Sequence, residues 1–539
     1  MLTPLSSEEA GGSGDGPIGP VTVGREDVSL RATDGTTLNG TLTRPMSEEP
    51  VPGILIRTPY GRAWMNAAAA YLASHGYAVL VQDTRTSTSY FFEAEDGRAT
   101  ADWMEQQSWF DGNLALAGFS YLGFAAWATA STRPSSLRAM VIAEYSSDRV
   151  TAWYPGGAFT LDQALTWSVQ NEPGGSEDPP RVEDFAHLPL SDADRAATGS
   201  TLPFYQERLE FGPGSAHWTP IDYSAVAESI AIPVLLLDGW YDYQRIPLFQ
   251  DFDRIRRAGV PRRLVFGPWT HSPLDMRKFL DETVAWFDLH VKGTGTPLPE
   301  ASLFDTGTNT WVDFKNWPDE PPTRTLYATS KLGLSVEHPS QESSISWTYD
   351  PNQPTPSVAL TAFGGLDVGG PHDNRELMER PDVVVFTTAR LDTALNAAGR
   401  VSARAIVRSD APSTDFFIRV LDISPDGAAV NVCEAITRVS TPELLETVGH
   451  RLEIDLGPIA HQFKPGNTIG VLVASGAYPY YDRNLGYGDP IRTATRSRTA
   501  HPEIQVGGEG GLSLRFSLRP PAAATPPRDA TASQLTVTP

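Results

Sequence analysis

The first residue in this chain with the setting of a nucleophile is Ser120, in Gly118-Phe119-Ser120-Tyr121-Leu122-Gly123. The apolar run 114–118 before it reads as a strand, and residues 121–130 after it read as a helix. A sharp strand-to-helix turn lifts a serine Oγ clear of a sheet. It also places it beside the free N–H groups of a helix N-terminus, where a developing oxyanion is stabilised. The usual elbow carries glycine two residues after the serine. Here Leu122 takes that place and Gly123 follows it, so an ordinary junction with a capping serine is the competing reading.

A serine hydroxyl needs a base, and the base an orienting acid, in the chain order Ser, Asp, His for this architecture. Asp238-Gly239-Trp240-Tyr241-Asp242 follows the apolar run 232–237, and Gly267-Pro268-Trp269-Thr270-His271 follows the run 262–266. Both segments fall at carboxyl ends of predicted strands, the edge where open α/β sheets bind ligands. Asp242 and Asp238 are both candidates for the acid. His271 is the histidine that follows a late sheet strand; the other nine lie at helix ends, in the middle segment or in the second half.

These residues need a sheet to hold them. Residues 26–43 alternate around Asp34-Gly35 and predict a hairpin. Buried strands are expected at 53–58, 77–83, 114–118 and 137–142, with helices at 67–75, 100–107 and 121–130, and the pattern resumes at 232–237, 262–267 and a helix over 281–292. Continuous apolar strands separated by helices indicate a parallel sheet covered on both faces. Residues 145–230, rich in Trp, Pro, Gly and acids, read as an inserted helical cap. The catalytic domain is thus expected over 25–144 and 231–315. Residues 316–520 contain many short strands separated by turns, as in a jelly-roll β-sandwich. Residues 1–24 and 521–539 read as flexible tails.

Several motifs together resemble the CocE/NonD hydrolases of the X-Pro dipeptidyl-peptidase (S15) family, a group that holds esterases, α-amino acid ester hydrolases and glutaryl-cephalosporin acylases. They are Arg57-Thr58-Pro59-Tyr60-Gly61, Val81-Gln82-Asp83-Thr84-Arg85, the 118–123 elbow, Gly239-Trp240-Tyr241-Asp242, Gly267-Pro268-Trp269-Thr270-His271, Trp286-Phe287-Asp288-Leu289-His290-Val291-Lys292-Gly293, Arg380-Pro381-Asp382-Val383, Thr414-Asp415-Phe416 and Phe463-Lys464-Pro465-Gly466-Asn467. The resemblance covers nearly the whole chain. It implies a serine hydrolase that cleaves a carboxylic ester or amide through an acyl-enzyme, with Ser120, His271 and Asp242, rather than Asp238, as its triad. It also implies an oxyanion hole of the Tyr60 hydroxyl and the Tyr121 N–H, and an acyl pocket between sheet edge, cap and jelly roll, where Trp153, Tyr154, Trp240, Trp269 and Phe119 are expected. Trp311 and Trp317 are read as packing residues rather than a carbohydrate platform.

Departures from the family pattern bear on the substrate. The family's glycines after Asp83-Thr84-Arg85 are replaced by Thr86-Ser87-Thr88-Ser89-Tyr90. Tyr243-Gln244-Arg245 stands where α-amino acid ester hydrolases carry acids that hold an ammonium group, and Trp153-Tyr154-Pro155-Gly156-Gly157 also lacks an acidic pair. Recognition of a free amine is therefore disfavoured. An X-Pro peptidase, an acyltransferase using the same acyl-enzyme and a binding protein with vestigial machinery are the alternatives.

Composition sets the outer limits. The 539 residues exceed one hydrophobic core. The net charge of −23 argues against a nucleic-acid partner, because phosphate needs a basic face. The single cysteine, Cys433, leaves no disulfide within the monomer. No basic leader with an apolar run and no membrane-length apolar window is visible, so a cytoplasmic enzyme without a membrane partner is expected. The expected partner is a small-molecule ester or amide, and a homodimer is compatible with this reading. No metal-ligand spacing is visible and the mechanism needs no cofactor.

Overall fold

The computed structural model describes residues 22–86, 90–271, 274–317, 321–358, 360–361, 363 and 369–519, with the backbone of a two-residue strand at the N-terminus. The tail expected over 1–24 therefore lies mostly outside the described residues, as do the tail over 521–539 and residues 87–89 of the altered loop. Val23 and Gly24 are not tail; they open a strand, and Val23 is buried.

The first half of the chain builds one eleven-stranded sheet. Its strands are β1 (Thr3–Pro4), β2 (Val23–Arg31), β3 (Thr37–Pro45), β4 (Val51–Thr58), β5 (Ala78–Asp83), β6 (Phe110–Phe119), β7 (Leu137–Ala143), β8 (Val234–Tyr241), β9 (Arg262–Thr270), β10 (Ala301–Asp305) and β11 (Thr310–Phe314). They lie in the order β1-β2-β3-β5-β4-β6-β7-β8-β9-β10-β11. From β5 to β10 neighbouring strands are parallel. The β2–β3 hairpin and β11 are antiparallel additions at the two edges. The central strands are almost wholly buried because helices cover both faces, which is why their sequences run apolar rather than alternating.

Helices α1 (Asn66–Ser74), α2 (Glu93–Met104) and α3 (Tyr121–Ser131) connect the early strands. Helix α2 starts well before the expected 100–107. Glu93, Glu95 and Asp96 fill its first turn, where carboxylates favour the helix dipole but weaken an apolar signal. Between β7 and β8 lie the short helices α4 (Arg149–Trp153), α5 (Leu161–Asn171), α6 (Val182–Phe185), α7 (Ala193–Thr198), α8 (Pro203–Glu210) and α9 (Ser224–Glu228). Helices α10 (Arg245–Ala258) and α11 (Met276–Phe287) flank β9. The helix expected over 281–292 starts earlier, at Met276. Past Phe287 it widens into a π turn, Asp288–Lys292, closed by Gly293.

The second half is a β-sandwich. Its strands are β12 (Thr323–Ala328), β13 (Leu334–Ser335), β14 (Ser343–Ser346), β15 (Val384–Thr387), β16 (Leu395–Arg408), β17 (Thr414–Ile423), β18 (Ala429–Val439), β19 (His450–Phe463), β20 (Thr468–Ala474), β21 (Glu503–Val506) and β22 (Ser513–Leu518). A seven-stranded sheet faces a four-stranded one. The expectation of uniformly short strands does not hold: β16 and β19 each run for 14 residues. Their pairing shifts register at Val401/Ser402, and such a bulge changes the phase of the inward residues and hides a long strand from period-two reading. Trp317 packs on Phe249, Phe252 and Phe314; Trp311 lies on β11 against Phe304 and Trp269.

Sandwich, core and cap are bolted together by buried polar contacts. Arg245, at the start of α10, donates to the Pro458 carbonyl at 3.0 Å. Asp482 accepts the Phe159 N–H of the cap at 2.9 Å and pairs with Arg438, which also pairs with Asp415. Among the described residues no helix is long and apolar enough to cross a membrane.

Cys433 is fully buried on β18, and burial pushes its thiol up to about 12. A thiolate is the reactive form. The native chain should therefore be inert to a disulfide-exchange reagent such as DTNB and titrate as one thiol in guanidinium. Rapid reaction of the native chain would contradict this packing.

Candidate active site

The turn at Ser120 is built by what is missing around it. Ser120 has φ 51° and ψ −130°, a conformation costly for a residue with a side chain. A Cβ on Gly118 would lie 2.2 Å from the Leu122 carbonyl oxygen, so β6 and α3 meet backbone to backbone. The out-of-place glycine has its own contact: a Cβ on Gly123 would lie 3.0 Å from Tyr145 Cβ and 3.3 Å from Ile142 Cγ2. Residue 123, rather than 122, is thus the one that faces the end of β7. Leu122 is free to bury its side chain in the core on the side of α1 and α11.

Ser120 Oγ lies 2.8 Å from His271 Nε2, and His271 Nδ1 lies 2.8 Å from Asp242 Oδ2. The second Asp242 oxygen accepts the Gln244 N–H at 2.7 Å. The His271 ring is packed between Tyr243, at 4.9 Å, and Phe363 of the C-terminal half, at 5.3 Å. Both Asp242 and His271 are buried, and Ser120 is partly open to the cavity.

Asp238 stands apart from this line. It is fully buried; one oxygen accepts its neighbour Gly239's N–H at 2.7 Å, and the other has no hydrogen-bond partner. Glu144, just past β7, is fully buried with φ 51°, and neither of its carboxyl oxygens is hydrogen-bonded. Its carboxyl lies close to Asp242 and His271, with donor atoms of all three within 4.8 Å of one another. Because His271 Nδ1 and Asp242 are already bonded to each other, the cluster is a hydrogen-bonded pair with a third acid beside it. Burial, then the neighbouring Asp242 and Asp238, hold Glu144 well above the ordinary carboxylate range, which favours its neutral form. Burial and Asp242 do the same to Asp238.

Tyr60 and Tyr121 flank the serine. Tyr121 is the first residue of α3, so its N–H has no intrahelical acceptor. Its hydroxyl is turned to Glu93, to which it donates at 2.9 Å, and Glu93 pairs with Arg57 at 2.6 Å. Tyr60 is 39% exposed as a residue. Its hydroxyl end nevertheless lies in buried surroundings close to the Ser120 hydroxyl, and burial raises its titration. Ring contacts to Trp64 and Tyr121 hold it in place.

A narrow cavity opens on Ser120 and is lined by Tyr60, Tyr90, Tyr145, Trp153, Trp167 and Phe204, among others. Of the five expected pocket residues, only Trp153 lines it. Tyr154 turns away and donates its hydroxyl to the Arg208 carbonyl. Phe119 lies on the opposite face of the sheet against Phe279 and Trp64, as the alternation of a strand requires. Trp240 stacks on Phe266 at 4.5 Å and borders a separate cavity of about 470 Å³ beside His461. Trp269 packs against Trp311. A larger cavity, about 610 Å³, follows the seam of cap and sandwich at Arg438 and Asp482 and includes none of Ser120, Asp242 or His271.

Arg149, Gln163, Arg208 and Tyr243 complete the wall near Ser120 and were not singled out from sequence. Nothing local in the sequence marks Arg149, which follows Ser146-Ser147-Asp148 and precedes Val150-Thr151-Ala152. Glu144 was legible, as a lone acid closing an apolar strand.

An eleven-stranded α/β sheet with a serine elbow, an inserted cap and a β-sandwich defines an α/β hydrolase of the CocE/NonD type. Residues 34–273 match the X-Pro dipeptidyl-peptidase (S15 family) model, and residues 293–509 match the X-Pro dipeptidyl-peptidase C-terminal non-catalytic domain. The chain is 31% identical over 533 residues to the cocaine esterase of Rhodococcus sp. (strain MB1 Bresler), which covers 86% of this chain and 93% of that protein. Among solved structures, an aminopeptidase from the marine sediment archaeon Thaumarchaeota archaeon superposes with a TM-score of 0.78 at 20% identity, over 95% of this chain and 99% of that one. An α-amino acid ester hydrolase gives a TM-score of 0.79 at 22% identity, over 92% and 97%. The chain belongs to the S15 family and is a hydrolase.

Two predictions follow from this geometry. Gly118→Ala sets a Cβ against an unyielding backbone carbonyl, so it should cost about 1–3 kcal/mol of stability and displace Ser120 Oγ; urea unfolding and turnover measure both, and a stable, fully active variant would refute the close approach. For Glu144, a pKa raised in the folded state means that the folded chain binds more protons than the unfolded chain above the ordinary value of 4.5. Stability then falls as pH rises through that window, by at most about 1.4 kcal/mol per pH unit for one group. Glu144→Gln removes this slope, so its advantage over wild type in urea midpoint should grow from pH 5 to pH 8. A gap independent of pH would count against a neutral Glu144.

Proposed function

We propose that the chain hydrolyses carboxylic esters, or amides, through an acyl-enzyme on Ser120. The observation that carries this reading is the unbroken line Ser120–His271–Asp242, with both hydrogen bonds at 2.8 Å. His271 Nε2 takes the proton from Ser120 Oγ as Oγ bonds to the substrate carbonyl carbon. The charge that develops on the carbonyl oxygen is met by the Tyr60 hydroxyl and the Tyr121 N–H. The imidazolium returns its proton to the departing alcohol or amine, and the bond to that group breaks. Water, deprotonated by His271, then attacks the acyl carbon; the acid leaves and Ser120 regains its proton. Asp242 holds the Nδ1–H tautomer throughout and stabilises the imidazolium.

The cocaine esterase relative supports an ester as the substrate, and the archaeal aminopeptidase keeps amides in view. The cavity wall argues against a dipeptide with a free amine. Its charged side chains are Arg149 and Arg208, with tyrosines around them, and no carboxylate lines it among the described residues.

A fluorophosphonate should label Ser120 stoichiometrically. Ser120→Ala should lower kcat on a simple aryl ester by about 10⁴-fold or more. Tyr60→Phe removes one oxyanion donor and should lower kcat by about 10²–10³-fold with little change in KM. Turnover that survives Ser120→Ala would end this mechanism.

A further inference from the structure

An acid without a partner stands beside the line Ser120–His271–Asp242. Glu144 follows β7, the strand between β6, which leads to Ser120, and β8, which leads to Asp242. It is fully buried, and neither of its carboxyl oxygens has a hydrogen-bond partner among the described residues. Its φ of 51° is costly for a residue with a side chain. The backbone around it is pinned on both sides. The Glu144 N–H donates to the Leu237 carbonyl at 2.9 Å, and the Ala143 carbonyl accepts the Ser120 N–H at 3.0 Å. The strained turn therefore ties Glu144 to the same frame that carries Ser120 and the segment after β8.

A carboxyl group that is buried and unbonded weakens a fold, because it loses water and gains no donor. A residue that is strained as well points to a task at the site. One oxygen of Glu144, one of Asp242 and a ring nitrogen of His271 all lie within 4.8 Å of one another. A hydrogen bond needs about 2.8–3.0 Å, so a side-chain movement of about 2 Å brings Glu144 to the imidazole. Asp242 now holds His271 Nδ1, at 2.8 Å. The ionisable groups that face Glu144 are Asp242 and Asp238, from the end of β8, and His271, from the loop after β9. Burial first, and the Asp242 charge second, hold the Glu144 carboxyl above the ordinary carboxylate range. Loss of the Asp242 carboxylate would remove that repulsion and leave Nδ1–H without its acceptor.

Resting on the hydrolase reading above, we propose that Glu144 is a second positioning acid for His271, one strand nearer the nucleophile, which holds Nδ1–H and balances the imidazolium when Asp242 does not. In that role the Glu144 carboxylate accepts Nδ1–H while Nε2 takes the Ser120 proton and returns it to the leaving group. Glu144 gives up its own proton to solvent beforehand and exchanges none during turnover.

The test is a double-variant cycle with 4-nitrophenyl acetate. Removal of a triad acid that has no substitute costs about 10⁴-fold in kcat. Asp242→Ala should instead lose only about 10²–10³-fold, because alanine leaves Nδ1–H free to turn to Glu144. Adding Glu144→Gln to Asp242→Ala should cost at least about tenfold more than Glu144→Gln costs in the wild-type chain. Glu144→Asp, which keeps the carboxyl, should recover part of that loss. A Glu144 that only fills space would give additive losses. The pH profile supplies a second readout. Asp242→Ala requires a neutral His271 and a charged Glu144, so the acid limb of its kcat/KM should record one more proton lost than that of the double variant. If the double variant fails to fold, the loss in Asp242→Ala still decides, and a loss of about 10⁴-fold overturns the inference. Additive losses with equal acid limbs, in a chain whose Ser120 is labelled by fluorophosphonate, overturn this inference alone. A wild-type chain that neither cleaves the ester nor takes the label overturns the hydrolase reading and this inference with it.

Discussion

Helix α3 approaches β6 until Gly118 and Leu122 meet backbone to backbone, and the remainder of the site depends on that contact. Ser120 occupies a left-handed φ that costs a residue with a side chain about 1–3 kcal/mol. The turn holds because every residue of α3 from Tyr121 to Ala130 is buried, so relaxing the turn would pull an entire helix out of the core. Once it is closed, the serine hydroxyl stands at the carboxyl edge of the sheet with the first N–H of α3 beside it. Strand order supplies the partners. β6, β7, β8 and β9 are consecutive neighbours, so His271 and Asp242 come from the two strands on the same side of Ser120. Three strand spacings amount to about 14 Å, more than an imidazole can reach alone. The segments after β8 and β9 therefore fold back over the edge, and His271 arrives through its loop rather than through its strand.

Electrostatics divides the cavity region into two ends. Behind the imidazole, three carboxyl groups are buried close together: Asp242, Asp238 and Glu144. Asp242 is the one of the three that accepts from both a backbone N–H and His271. The other two accept fewer hydrogen bonds, and burial, then the neighbouring acids, raises them well above the ordinary carboxylate range. At the far end of the cavity the fixed charges are positive, on Arg149 and Arg208.

Ser120 and His271 were legible in the sequence because each sits next to a strand end, and strand ends can be read from apolar runs. The choice of Asp242 over Asp238 and the role proposed for Tyr60 came from the family resemblance alone. The parallel core and the sandwich were legible from apolar runs too, as strands separated by helices and then by turns. The pocket wall was not. Trp153 lines the cavity and its neighbour Tyr154 does not, because the chain leaves α4 between them in a non-helical turn, at φ −135° for Tyr154. Arg149, Gln163 and Arg208 come from three separate cap helices, and only tertiary packing brings them together. Strand alternation sends Phe119 to the face opposite the cap.

The C-terminal half holds no member of the hydrogen-bonded line, yet it fixes both ends of the site. Phe363 packs on His271, and Arg245, three residues after Asp242, is pinned to the Pro458 carbonyl. On the cap side, Asp482 grips Phe159 while Arg438 and Asp415 hold Asp482 in turn. A Cβ on Gly156 would lie 2.0 Å from the Ile436 carbonyl oxygen, so cap and sandwich also touch backbone to backbone a few residues beyond Trp153. The cap consists of short helices, some of four to six residues, which have little stability of their own. Docking to the sandwich supplies the order that their length cannot. The position of Arg149 relative to Ser120 is therefore set jointly by the core sheet, which carries the serine, and by the sandwich, which holds the cap over it.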